Sequence, residues 1–327
     1  MENAGFSRRA LIAGLAGATL ASAGGSALAR HLPRRPFFER IGKPIGIQLY
    51  TLGDQPKADL AATFAQLAAI GYREVELPQL YGKTATEVRA AADGAGLSIS
   101  SLHLGLSSMA PGQASGSVTL DSEPQRIADV LGALGARAAV LPIVPLPAGM
   151  KPRAGEDFRA MVTRSLAEAG VDHWKRAAAM LNQRGALLRP MGIALGYHNH
   201  NVEFAQTGGT TGWEVLMRET DARMVSFEVD IGWVAAAGLD PVDFLHRYRG
   251  RLHWMHMKDL TAQTTANYAL SMAPCEVGSG KQDWARILPA ALAAGVQHFY
   301  VEQEPPFTIA RMEAAARSHA YLAALRA

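Results

Sequence analysis

The sequence predicts a parallel (β/α)₈ barrel, a TIM barrel, as one domain. Three observations carry that prediction. Short β-like runs recur eight times from Pro44 onward, segments of helical spacing lie between them, and a glycine precedes several of the runs where a helix must stop. Strands that alternate with helices, without a hairpin signal between them, imply a parallel sheet, and eight is the number that closes. An open doubly wound sheet is the competing arrangement, but no G-x-G-x-x-G follows the first run.

The runs in the first half are Ile45–Leu49, Tyr72–Leu77, Leu97–His103 and Arg137–Ile143. The second half adds Gly192–Asn199, Met224–Asp230, Leu252–Met257 and His298–Glu302. Gly71, Gly96, Gly135, Gly192 and Gly295 are the stop signals. Leu60, Phe64, Leu67 and Ala68 share one helical face, as do Trp284, Ile287, Leu288 and Leu292. The Gly/Ser-rich segment Leu104–Ser117 is expected to be a long loop over the barrel mouth.

At 327 residues the chain is long for an ordinary domain but within the range of a barrel. Its apolar share of 49% supports a large core. A formal charge of +3, partly owed to arginines near the N-terminus, gives no case for nucleic acid. Cys275 is the only cysteine, which excludes an internal disulfide and a thiolate-rich metal site. Nothing in the sequence sets the oligomeric state, and an oligomer is compatible with it.

Residues 1–29 read as an export signal peptide, leaving 30–327 as the barrel. Arg8 and Arg9 precede an uncharged, Ala/Gly/Leu-rich run that closes on Ala27-Leu28-Ala29, small residues where a signal peptidase cuts. The arginine pair resembles a twin-arginine signal and implies a periplasmic protein. The many alanines and glycines argue against a stable membrane span.

Barrel active sites gather where strands run into their following loops, so polar residues at strand ends are the candidates. Asp230, His256 and Glu302 stand at the ends of the last three runs, and His198 and His200 at the fifth. Imidazoles and carboxylates on successive strand ends suit a divalent metal such as Mn, Mg, Co or Zn. Lys258 follows His256 by two residues and shares its strand face. It is a candidate to hold a substrate oxygen or an oxyanion. Glu76, His103 and Trp233 are candidates for substrate contacts, and Trp254 for the same role or for core packing. Gly278-Ser279-Gly280 forms a turn ahead of a helix and lacks a P-loop ending, so no nucleotide is assigned to it.

The segments GIALGYHNHNVEF (Gly192–Phe204), Glu228–Val234, His253–Leu260, VGSGKQDW (Val277–Trp284) and Val301–Glu304 resemble, in order and spacing, the sugar phosphate isomerases/epimerases. These are xylose isomerase-like TIM barrels of carbohydrate metabolism. The resemblance implies metal ligands Glu, Asp, His and Glu from strands five to eight, and the last three fall on Asp230, His256 and Glu302. The first falls on Gly196, with His198 the preferred replacement and His200 next. Glu203 is a further candidate base, though an anchor for its loop is the better expectation.

The resemblance implies a metal-dependent isomerase/epimerase working through an enediolate on a sugar-like carbonyl compound. Glu302 is the expected base, with Lys258 and His200 beside it. A lyase or hydratase of an oxidised sugar or glycoside is the runner-up, because the missing glutamate breaks a symmetric pair of bases. A periplasmic sugar-binding protein without turnover is the non-enzymatic alternative.

Overall fold

A computed structural model describes residues 35–109 and 118–327. The leader 1–29 and most of the glycine-rich part of the 104–117 loop lie outside the described residues. Eight parallel strands close into a barrel: β1 (Gly46–Gln48), β2 (Glu74–Leu77), β3 (Ser98–His103), β4 (Ala138–Leu141), β5 (Ala194–His198), β6 (Val225–Asp230), β7 (Leu252–Met257) and β8 (His298–Val301). Each lies within one of the eight expected runs. β8 pairs back onto β1 through Gly46↔Tyr300 and Ile47↔Val301, so no edge is left open.

The outer ring is α1 (Leu60–Ile70), α2 (Ala85–Ala95), α3 (Pro124–Leu134), α4 (Phe158–Leu188), α5 (Gly212–Glu219), α6 (Pro241–Arg247), α7 (Trp284–Ala294) and α8 (Arg311–Ala324). Leu60, Phe64 and Leu67 of α1 are buried, as are Trp284, Ile287 and Leu288 of α7. A side chain buried in this way contributes about 1.5–3 kcal/mol. The five glycines expected to stop helices stand directly after a helical segment, all at positive φ. α4 is kinked at Gly170, where φ is 66°.

Two small antiparallel ribbons depart from the expectation of no hairpins. One pairs Gln206–Thr207 with Thr210–Thr211 across Gly208-Gly209, and the other pairs Asp259–Leu260 with Pro274–Cys275. The Gly-Gly turn, with φ of 56° and 80°, is the local signal for the first. Among the described residues no helix is long and apolar enough to cross a membrane.

Strand alternation sends every second side chain into the barrel. On β7 and just beyond it, Trp254, His256 and Lys258 form one such series, and all three are buried. The lowest layer holds Ala138, Trp254 and Tyr300 in one apolar cluster. Glu74 and His298 pair at the same end, 2.6 Å apart, and the larger charged group lies toward the ends of the strands.

Candidate metal centre

The end of β6 shows how alternation builds the site. Glu228 and Asp230, two residues apart, both lie inside the barrel and are fully buried. Register places His198 beside Glu228 and Asp230 beside His256. Glu302 follows β8 directly, its N–H donating to the Met257 carbonyl at 3.2 Å. One atom each from His198, Asp230, His256 and Glu302 fits in a cluster whose members all lie within 4.8 Å of one another. His198 Nε2 and His256 Nδ1 are each 3.8 Å from Asp230 Oδ2, and His256 Nδ1 is 2.8 Å from Glu302 Oε2.

Lys258 enters the same cluster from above β7. Its ammonium, fully buried, lies 2.8 Å from Asp230 Oδ2, 2.9 Å from Glu302 Oε2 and 3.0 Å from Glu304 Oε1. Burial alone would neutralise it, but these three carboxylates hold its pKa well above the ordinary lysine value. Glu304 was missed by sequence reasoning. It stands two residues beyond Glu302, and that spacing was its only signal.

The electrostatics of the rim are uneven. Burial pushes the Asp230 carboxyl up to about 6, against the pull of Lys258. For Glu302 burial is outweighed by Lys258 and His256, which hold it well below the usual carboxylate range. His200 stands beside His198 and Trp233, with ring centroids at 5.1 and 5.3 Å. Burial, and then Lys258, bring its pKa down to about 3, so its imidazole is neutral. Its Nδ1 is buried without a hydrogen-bond partner among the described residues.

Other candidates lie elsewhere than expected. Glu76 is fully buried beneath the cluster, 2.6 Å from His256 Nε2, and accepts from Gln48 Nε2 at 2.9 Å and Ser101 Oγ at 2.5 Å. That is a support for His256, and the expected substrate contact is corrected accordingly. His103 lies between Glu76 (3.2 Å) and Glu228 (3.0 Å), which outweigh burial and raise its pKa to about 10. Its ring stacks on His256 at 5.8 Å, so most of its surface is spent inside the barrel. Trp233 is 3% exposed, with Lys258 Nζ 5.1 Å from its ring and His200 close by. Little of its apolar face is left for a sugar. Trp254 packs in the floor.

Gly196 does not occupy a ligand position. A Cβ there would lie 3.0 Å from Val140 Cγ2 and 3.2 Å from Trp254 Cζ3, below the charged cluster. The β5 member of that cluster is His198. Glu203 anchors its loop, accepting from Tyr197 Oη at 2.6 Å and from the His200 N–H at 3.0 Å. Glu228 was missed altogether. Its signal was the i, i+2 spacing from Asp230. The Gly278-Ser279-Gly280 turn wraps the buried Asp259, which accepts from Gly278 N, Gln282 N and Trp284 Nε1. A Cβ on Gly280 would collide with the Asp259 carboxylate, so that turn is a structural clasp.

The donor set is two imidazole nitrogens and two carboxylate oxygens, a combination suited to a divalent ion of borderline or hard character. The geometry supports the fit: Asp230 Oδ2 is buried and lies 3.8 Å from a nitrogen of each imidazole. The residues present therefore suit a metal.

Residues 64–325 match the family model described as xylose isomerase-like TIM barrel. The chain belongs to that family. Among its relatives, inosose dehydratase of Geobacillus kaustophilus is 26% identical over 214 residues, which is 64% of this chain and 64% of the relative. Inosose dehydratase of Lacticaseibacillus casei is 35% identical over 92 residues, 28% of this chain and 30% of the relative. The match thus spans less than two thirds of either dehydratase. A crystal structure of a sugar phosphate isomerase/epimerase from Parabacteroides distasonis superposes with a TM-score of 0.67 at 25% identity, covering 86% of this chain and 94% of the other. The xylose isomerase-like barrels related to this chain therefore include both isomerases/epimerases and dehydratases, and they are enzymes of small sugar-like substrates.

Proposed function

We propose that this chain is a divalent-metal-dependent enzyme that takes the proton beside the carbonyl of a small polyhydroxy substrate. Its favoured outcome is expulsion of the oxygen substituent on the next carbon, a lyase reaction. His198, Asp230, His256 and Glu302 would hold the ion, with Mn, Mg, Co and Zn all suited to the donor set. When bound, the metal polarises the carbonyl and makes the neighbouring C–H more acidic.

The observation that supports elimination is the asymmetry of the rim. Glu302 is an ionised carboxylate at the cluster edge, while β5 contributes the imidazole of His198 and no second carboxylate. Epimerisation by a symmetric pair needs a second acid on the other face of the reacting carbon. Elimination on one face needs a single group: Glu302 accepts the C–H proton, the C–O bond to the leaving group breaks as the C=C bond forms, and Glu302 returns the proton to the departing oxygen. The fixed positive charge of Lys258 stabilises the developing enolate oxygen. Neutral His200, beside His198, is our candidate to hold a substrate hydroxyl.

Isomerisation or epimerisation through the same enediolate is the second reading, favoured by the likeness to the Parabacteroides distasonis protein. Metal-loaded protein in D₂O, offered keto-polyols, 3-keto glycosides and phosphorylated sugars, separates the two by NMR. Loss of the β-substituent is the expected result. Deuterium gained with every substituent kept would establish the isomerase/epimerase instead. No exchange and no elimination with any of them would overturn enzymatic turnover and favour a binding protein.

The leader makes this enzyme periplasmic in our reading. Replacing Arg8 and Arg9 by lysine should leave precursor in the cytoplasm, and unchanged export would remove the twin-arginine assignment.

A further inference from the structure

The imidazoles of the cluster each turn their other nitrogen toward a buried carboxylate. His198 Nδ1 lies 2.9 Å from Glu228 Oε2, and His256 Nε2 lies 2.6 Å from Glu76 Oε2. Glu228 Oε2 is also reached by His103 Nε2 at 3.0 Å and His256 Nε2 at 3.2 Å, while its Oε1 is buried with no partner. An ionised carboxylate only accepts, so a nitrogen held against it must carry the hydrogen. In a neutral ring the opposite nitrogen is then a bare lone pair. For His198 that nitrogen is Nε2, the one that faces Asp230 Oδ2.

We infer that Glu228 is a positioning residue that locks His198 in the Nδ1–H tautomer, aims the Nε2 lone pair at the cation, and so sets much of the cluster's grip on a divalent ion. Glu76 braces His256 from the other side, 2.6 Å from its Nε2. The inference rests on the metal-holding reading of His198, Asp230, His256 and Glu302. Strand geometry makes the arrangement economical: β6 supplies the ligand Asp230 and, two residues earlier and one layer lower, the support for the neighbouring strand's ligand. Among the described residues no other carboxylate contacts His198 Nδ1, so the tautomer hangs on one oxygen.

The test has two independent readouts on the full-length mature chain. Long-range ¹H–¹⁵N NMR of the ion-free protein reads the His198 tautomer without any metal, and a chelator competition reads zinc affinity. Wild type should show Nδ1–H, one zinc per chain, and a zinc-induced shift at Nε2. Glu228→Gln can offer His198 either an oxygen or an amide N–H, so it should give a mixed tautomer and bind zinc 10- to 100-fold more weakly, the usual loss for a residue that orients a ligand. Glu228→Asp keeps an acceptor-only group and should retain Nδ1–H even if its shorter reach weakens zinc. It also decides the matter if the glutamine variant fails to fold.

Wild type that binds no zinc but shows Nδ1–H removes the metal reading and keeps the tautomer lock. Nε2–H in wild type or in Glu228→Asp overturns the inference. So does a Glu228→Gln protein with unchanged tautomer and zinc affinity within twofold. Two zinc ions per chain would also overturn it, because Glu228 would then be a ligand itself.

Discussion

The two halves of the barrel put their charged residues to different uses. Strands β5 to β8 deliver all four donors of one convergent group, His198, Asp230, His256 and Glu302, and three of the four in a second, His198, Glu228 and His256, to which β3 adds His103. Strands β1 to β3 deliver Gln48, Glu76, Ser101 and His103, whose polar atoms are spent on one another and on the undersides of His256 and Glu228. β4, Ala-Ala-Val-Leu, contributes no polar side chain to either set. In the proposed reading the second half holds the chemistry and the first half supports it. Under that reading, removing a group from each side is expected to have different consequences: losing a proposed ligand should lower turnover steeply, whereas losing a support should loosen geometry.

The sharpest break of that comparison is at Glu302. Glu302→Gln keeps the side-chain shape and is expected to lower turnover by about 10²- to 10⁴-fold, the range for losing a general base. Metal content is measured alongside, because Asp230 and the two histidines remain. A variant near wild-type rate with full metal would move the base to another group, with His200 first.

The next largest effect concerns Gly196 and tests whether the ligand level is where the structure places it. Gly196→Glu forces a carboxylate against Val140 and Trp254 in the lowest part of the barrel. Overpacking and an unpaired buried charge together should cost about 4 kcal/mol or more, read as a lower urea midpoint, with no gain in metal affinity. Tighter metal binding in a stably folded variant would put the β5 ligand back at position 196.

The smallest effect lies at Glu203, outside both sets. Burial raises its pKa to about 7, against the pull of hydrogen bonds from Tyr197 and the His200 N–H. The folded chain then binds that proton more tightly than the unfolded chain does. Its contribution to stability is greatest below about pH 4.5 and is lost as pH rises toward 7, a swing of roughly 3 kcal/mol. Glu203→Gln should flatten this part of the stability profile, whatever it does to the level. Urea midpoints at pH 5 and pH 8 measure it, and an unchanged slope would refute the assignment.

The same contrast explains what was readable in the sequence. All eight strands were legible as short β-like runs between helical segments, several with a glycine ahead of them. His198, Asp230, His256 and Glu302 were legible because they end strands, where polar residues in an apolar run stand out. Glu228 escaped because a carboxylate inside a strand reads as the solvent side of an alternating pattern. Only barrel closure, a long-range property, turns that side inward. Glu76 was noticed but given the wrong task, since spacing reveals which face a side chain takes and not the depth at which it sits. At Gly196 the crowding by Val140 and Trp254 was equally invisible, since it depends on neighbours far away in the sequence.

The short helix Phe37–Ile41 carries a further consequence. Phe37 and Phe38 pack edge-on against each other and against Phe299, and the Phe37 N–H donates to the Leu325 carbonyl at 2.7 Å. Arg40 also reaches the carbonyl of Ala327 at 2.6 Å. The barrel is thus closed along the chain as well as around the sheet, and its cyclic order has no structurally privileged starting strand. A circular permutant, with residue 327 joined to residue 35 by a few glycines and new ends opened at Gly208-Gly209, would keep every strand neighbour and every donor atom of the cluster.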